Sequence, residues 1–223
     1  MSENIIKRCQ QQRYSLFSDY KIFNLHWHKT PPLQTSPIQR QWLNWNQSLT
    51  YRLSQIGHIE IKRVEEHIGI CSPDEAAAMQ YRANMVWYRE IIILLNAIPV
   101  IAARSVTSLS ASQNIWASLR QLGNRPLAIL LYQNKKIQRS PFAFQLYCPH
   151  STSRYSNFKK IIPLDYLDNT QKNILINNQE DKNGANLNET DLIISRRSIF
   201  LKNQKPLLVT ESFLPSLWNH FVL

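Results

Sequence analysis

The sequence predicts an α+β fold, a mainly antiparallel sheet flanked by short helices. Three observations carry that expectation. Two β-rich runs, residues 86–95 and 100–106, flank Asn96-Ala97-Ile98-Pro99, a turn signal that makes them a hairpin. Short amphipathic stretches with recognisable caps stand between the strand-like runs. Nothing in the chain alternates strand and long helix in the way a parallel sheet requires.

In chain order, residues 1–37 read as an N-terminal extension rich in Gln and aromatics, with Pro31 and Pro32 marking irregular backbone. Residues 38–223 read as a single domain, which the length of 223 residues supports. Ile38, Trp42 and Trp45 recur at helical spacing. Ser48 is placed to cap a second helix with Leu49, Leu53 and Ile56 on one face, and Gly57 stops it. Residues 58–68 alternate as a strand. Ser72-Pro73-Asp74-Glu75 combines an N-cap, a first-position proline and a capping box. After the hairpin, residues 110–122 form an amphipathic helix with Ile115, Trp116, Leu119 and Leu122 inward. Further strands are expected at 137–148, 192–201 and 206–213. Residues 151–190, rich in Asn, Lys, Asp and Gln, read as a polar surface insertion between two strands.

Composition narrows the function classes. Lys plus Arg total 26 against 15 acidic residues, a net charge of +11, while 43% of the residues are hydrophobic. That rules out wholesale disorder. Four glycines are too few for a phosphate-cradling loop. Three scattered cysteines without a CxxC pair argue against a disulfide framework and fit a cytoplasmic protein. No targeting segment stands at the start, and the most apolar stretch, residues 91–103, is short of the about 20 residues of a membrane span. The basic residues are spread rather than clustered, so a small anion fits the positive field as well as nucleic acid does.

The chemistry-bearing signal is an ionisable pair inside an apolar strand. Period-2 alternation puts Arg89 on the face of Ile91 and Ile93, and Glu90 on the face of Ile92 and Leu94. A buried guanidinium needs an anion. That anion is either Glu90, in an internal pair, or a ligand carboxylate gripped by the planar fork. Glu211 follows the apolar run Leu207-Leu208-Val209 and projects from a strand end, paired with Arg104 or Arg197 or hydrogen-bonded to a ligand hydroxyl. Leu122-Gly123-Asn124-Arg125-Pro126-Leu127 is a helix end whose exposed N–H groups suit a carboxylate.

These pieces, collinear over residues 41–216, resemble the chorismate–pyruvate lyase family. They are Trp45 with Ser48-Leu49-Thr50, Trp87-Tyr88-Arg89-Glu90-Ile91, Ala103-Arg104-Ser105-Val106, Leu122-Gly123 with Pro126-Leu127, Arg196-Arg197-Ser198, and the segment from Lys205 to Glu211 with Phe213-Leu214-Pro215. Leu49, Ser108 and Ala128 depart from the family's usual Met, Pro and Gly. The resemblance implies a chorismate lyase-like fold with an internal ligand cavity, and conversion of chorismate to 4-hydroxybenzoate and pyruvate at the head of ubiquinone biosynthesis. It implies no metal and no organic cofactor. Arg89 is then expected to bind the ring carboxylate, assisted by main-chain N–H groups of Leu49 and Leu127. Glu211 is expected to hydrogen-bond the oxygen at the far end of the ring. Arg104 and Arg197 are candidates for supporting pairs or for the pyruvyl carboxylate. The expected partners are chorismate and its product, with no nucleic acid and a monomeric chain.

Rival readings are a relative that binds 4-hydroxybenzoate without turnover and, more distantly, a nucleic-acid binder. The same fold is similar to the effector-sensing domain of bacterial regulators, but residues 1–37 are too short for a winged helix. His26 and His28 lack an obvious third ligand for a metal. Cys71 stands beside a helix start, a position that lowers a thiol's pKa, yet no base partner is evident.

Overall fold

The computed structural model describes residues 26–82, 85–147 and 193–221. The first 25 residues of the extension, the insertion at 151–190, Cys9 and Cys148 lie outside the described residues.

The helical signals at the start are realised locally. Helix α1 (Pro37–Leu43) has Ser36 as N-cap in a full capping box with Gln39, and α2 (Leu49–Ser54) is capped by Ser48. Strand β1 (Ile59–Ile70) leads into α3 (Pro73–Met79), where the Ser72–Glu75 capping box forms as expected. The hairpin follows as β2 (Met85–Leu95) and β3 (Ile98–Ser108), with Asn96 and Ala97 both at positive φ in its turn. Strands β4 (Gln138–Arg139), β5 (Ala143–Tyr147), β6 (Ile193–Lys202) and β7 (Lys205–Phe213) complete a seven-stranded sheet. Its order is β1-β2-β3-β7-β6-β4, with β5 also paired to β6, and its described pairings are all antiparallel.

Two expected elements are broken. The single helix over 110–122 is instead α4 (Leu109–Gln113) followed by a 3-10 turn at Ala117–Gln121. Side chains compete with the helix there: Ser112 bonds the Leu109 carbonyl and Asn114 bonds that of Ser110. Trp116 leaves the helical path to bury its ring and donate its indole N–H to Lys205 O. The expected strand over 137–148 splits into β4 and β5 at Pro141, which has no N–H for the ladder. Ser140 keeps the junction attached, since its side chain accepts from the Ile199 N–H at 3.0 Å. Two further short helices, α5 (Ala128–Tyr132) and α6 (Pro215–Trp218), form without a side-chain cap.

Side-chain parity sorts the core. One sheet face carries two apolar clusters. The first joins Ile91, Ile93, Ala103 and Phe213 to α1, α2 and α6, and the second joins Trp87, Leu207 and Val209 to α4 and the 3-10 turn. The reverse face packs Val86, Val106, Ile199 and Leu208 under α3, with Trp27 and Cys71. His28 pairs with Phe144 through two backbone bonds of 2.8 Å, so the described end of the extension lies against β5.

Candidate active site

On the face with two clusters, a partly polar row runs across four strands: Arg89 opposite Ser105, Ser105 opposite Val209, Val209 opposite Ser198. The neighbouring row on the same face is Ile91, Ala103, Glu211 and Arg196. Between the sheet and the segments carrying Leu49 and 126–132 lies a pocket of about 60 Å³. Arg89, Glu211, Leu49 and Leu127 all line it. Two strand spacings and a two-residue offset separate the Arg89 and Glu211 Cα atoms by about 12 Å, before either side chain reaches inward.

Arg89 is 2% exposed. Its Nη2 donates to Gly123 O at 2.7 Å and to Arg125 O at 3.2 Å. Gly123 aims its carbonyl there from a φ of +56°, a conformation that favours glycine. The Nε of Arg89 is buried without an acceptor, and among the described residues no carboxylate pairs with the guanidinium. Burial pushes its pKa down, against a rise from Glu66, while Arg63 lowers it further. Nε and Nη2 form the edge of the guanidinium that takes a carboxylate in bidentate fashion. That edge has one donor idle and the other on carbonyls. The internal Arg89–Glu90 pair is not formed, because adjacent strand residues point to opposite faces.

Glu211 accepts from Arg196 Nε at 2.7 Å, and Arg196 Nη1 donates to the carbonyls of Trp42, Leu43 and Trp45 at 2.7–3.2 Å. Arg196 therefore caps the carbonyl end of α1 while holding the carboxylate. This corrects the expected partner, Arg104 or Arg197, and the reason is again parity. Thr210, not Glu211, lies between Arg104 and Arg197 in the register, and all three belong to the reverse face.

On that reverse face Arg104 bridges Glu75 and Glu90, with 2.6 Å contacts to each, and stands over the Tyr88 ring. Burial works against its charge, yet the two carboxylates overcome this and raise its pKa. Burial pushes the Glu90 carboxyl up despite Arg104, and it pushes the Arg197 pKa down to about 10 despite Asp74 at 2.6 Å. Neither Arg104 nor Arg197 lines the pocket; both pair with carboxylates of α3. Their role is to fasten the first turn of α3 to the sheet. Replacing Arg104 with Met strands the buried Glu90 and is expected to cost about 2 kcal/mol, below the about 3–5 kcal/mol of a fully buried pair because Arg104 itself keeps some contact with water. The thermal midpoint then falls by about 4–8 °C, read by calorimetry, with ligand affinity retained.

Leu49 opens α2 and Leu127 immediately precedes α5, and at both places main-chain N–H groups lack intrahelical acceptors. Of the departures, the Ala128 methyl is part of the pocket wall, and Ser108 serves as N-cap of α4. Sequence reasoning did not single out Tyr132 and Arg139, which also line the pocket, and it named Ser198 only within the motif Arg196-Arg197-Ser198. Arg139 bonds both Ser198 Oγ, at 3.0 Å, and the Tyr132 hydroxyl, at 3.1 Å. The strand break at Pro141 hid Arg139. Burial raises the Tyr132 pKa; Arg139 opposes that rise and Glu211 adds to it.

Among the described residues no group of three His, Cys, Asp or Glu side chains is placed to hold a metal ion. Cys71 has its thiol pushed up to about 12, by burial first and by Glu75 next, contrary to the lowering its position suggested. No helix among the described residues is long and apolar enough to cross a membrane.

The C-terminal domain of the histidine utilization repressor from Pseudomonas syringae superposes with a TM-score of 0.45 at 12% identity, over 71% of this chain and 93% of that one. A protein called probable chorismate pyruvate-lyase from Bordetella avium is 33% identical over 198 residues, 88% of this chain and 87% of its own. Another, probable chorismate pyruvate-lyase 1 from Pseudomonas fluorescens, is 29% identical over 86% of this chain and 91% of its own length. The sequence profile described as chorismate lyase matches residues 22–161, a span that takes in Arg89 with its Gly123 and Arg125 acceptors as well as Leu49 and Leu127. With that match over more than half its length, the chain belongs to the chorismate lyase family.

Proposed function

We propose that this protein converts chorismate to 4-hydroxybenzoate and pyruvate in the pocket between Arg89 and Glu211, supplying the ubiquinone ring. One observation supports the reading above others: Arg89 is buried on the pocket face with its carboxylate-binding edge incompletely satisfied, while Glu211 lines the same pocket from the next row. In this reading the enzyme acts as a cytoplasmic monomer without metal or organic cofactor.

The ring carboxylate displaces the Gly123 and Arg125 carbonyls from Nη2 and gives Nε its acceptor. The N–H groups at Leu49 and Leu127 add donors to the anion. Glu211 accepts from the ring hydroxyl and so fixes the opposite end. The chemistry is an elimination driven by aromatisation. The carbon–oxygen bond to the enolpyruvyl group breaks, the ring carbon bearing the hydroxyl gives up its hydrogen as a proton, and the released enol gains one at its methylene to become pyruvate. Atoms balance with no oxidant or co-reactant. The protein's contribution is to orient the ring, exclude water and stabilise developing charge.

Incubating the purified chain with chorismate tests this directly. Equimolar 4-hydroxybenzoate, followed by absorbance, and pyruvate, followed with a coupled dehydrogenase, are expected. Binding without either product would favour the non-catalytic relative, and a 2- or 3-hydroxybenzoate product would mean a different reaction. A chelator is expected to leave the rate unchanged; loss of activity restored by added metal would reject the cofactor-free scheme.

A further inference from the structure

Chorismate is a dianion, and burying two carboxylates requires two cations or equivalent donors. Arg89 provides for one. Resting on the function proposed above, we propose that Arg139 receives the second carboxylate, the one on the enolpyruvyl group, and so selects a dicarboxylate substrate over its monocarboxylate product.

Among the described residues lining the pocket, Arg89 and Arg139 are the ones with cationic side chains. They approach it from opposite ends of one row. Arg89 begins the row on β2, and Ser198, whose hydroxyl accepts from Arg139 Nε, ends it three strands away on β6. That places the two anchor points about 14 Å apart across the sheet, with Ser105 and Val209 as the floor between them. The Arg139 guanidinium is held in position before any ligand arrives. It lies 3.8 Å from the centre of the Phe142 ring and 5.2 Å from that of Phe200, and Nη1 donates to Asn46 O and to the Tyr132 hydroxyl. A stacked, pre-oriented fork loses little freedom on gripping a carboxylate.

The other arginines near the sheet centre do not line the pocket. Arg196 is 1% exposed and bound to Glu211 and three carbonyls. Arg104 and Arg197 face the opposite way, towards α3. Once the enolpyruvyl group has left, nothing on 4-hydroxybenzoate calls on Arg139, whereas Arg89 still holds the ring carboxylate.

The test compares two ligands in one variant. In Arg139→Gln the dissociation constant for chorismate, or KM where turnover is measured, is expected to rise at least tenfold. That for 4-hydroxybenzoate should stay within twofold. Arg139→Lys, which keeps charge but loses the fork, should fall between, and it decides the matter by the same ratio if the Gln variant does not fold. An equal loss for both ligands would mark Arg139 as merely structural and overturn the assignment, as would an unchanged ratio. A parent protein that binds chorismate without cleaving it would sink the proposed activity alone, since the ratio is still read from binding. One that binds no chorismate would sink both.

Discussion

Arg89→Ala is expected to lower kcat/KM for chorismate about a thousandfold. The substrate carboxylate would be left in a desolvated wall without its counter-charge, and removing one partner of a buried ion pair typically costs about 3–5 kcal/mol. At about 1.4 kcal/mol per decade, that is two to three and a half decades of transition-state affinity. The same residue makes the opposite prediction for stability. The folded protein keeps a guanidinium almost fully out of water with an idle Nε and no carboxylate beside it. A methionine there retains most of the apolar stem without the charge. Arg89→Met should therefore be equally inactive, yet melt no lower than the parent, and higher if burial of the charge dominates. Steady-state kinetics and calorimetry on the two variants check both halves. Near-normal turnover in either one would remove Arg89 from the reaction.

Glu211→Gln is expected to reduce kcat about a hundredfold with the fold intact. The amide oxygen can still accept from Arg196 Nε, and Arg196 keeps its three carbonyls at the end of α1, so the pairing loses charge but not geometry. What disappears is an anionic acceptor in the pocket, and losing one such positioned group costs about two to three decades in comparable sites. Circular dichroism and kcat together decide the case. A variant that simply unfolds makes Glu211 a strut for Arg196 and nothing more.

The hairpin and the capped helices were legible because their signals are local. Ser48, Ser72 and Asn96-Ala97 act within four residues of themselves, and the structure builds what they specify. Arg89 was legible because a charge in an apolar strand is conspicuous. The partner of Glu211 was not, since Arg196 and Arg197 look alike in sequence and only register separates them. That register was still available in principle. A two-residue turn at Asn203-Gln204 pairs Lys202 with Lys205, and counting outward along β6 and β7 reaches Arg196 opposite Glu211. The broken helix at Asn114 and the strand break at Pro141 carry local signals in Ser112, Asn114 and the proline itself, but the partners that fix Trp116 and Ser140 are distant in sequence and carry none. Arg139 was overlooked for the same reason.

The tight connection at Asn203-Gln204 sets a length that this family member cannot vary freely. With β6 held by β4 and β5, an added residue that kept this turn two residues long would slide β7 by a single position and turn its alternate side chains over. Glu211 would be delivered to the wall beneath α3, and Thr210 would take its place on the pocket face. Chain growth in this half of the molecule is thus safe only where it leaves the odd–even count of β7 untouched.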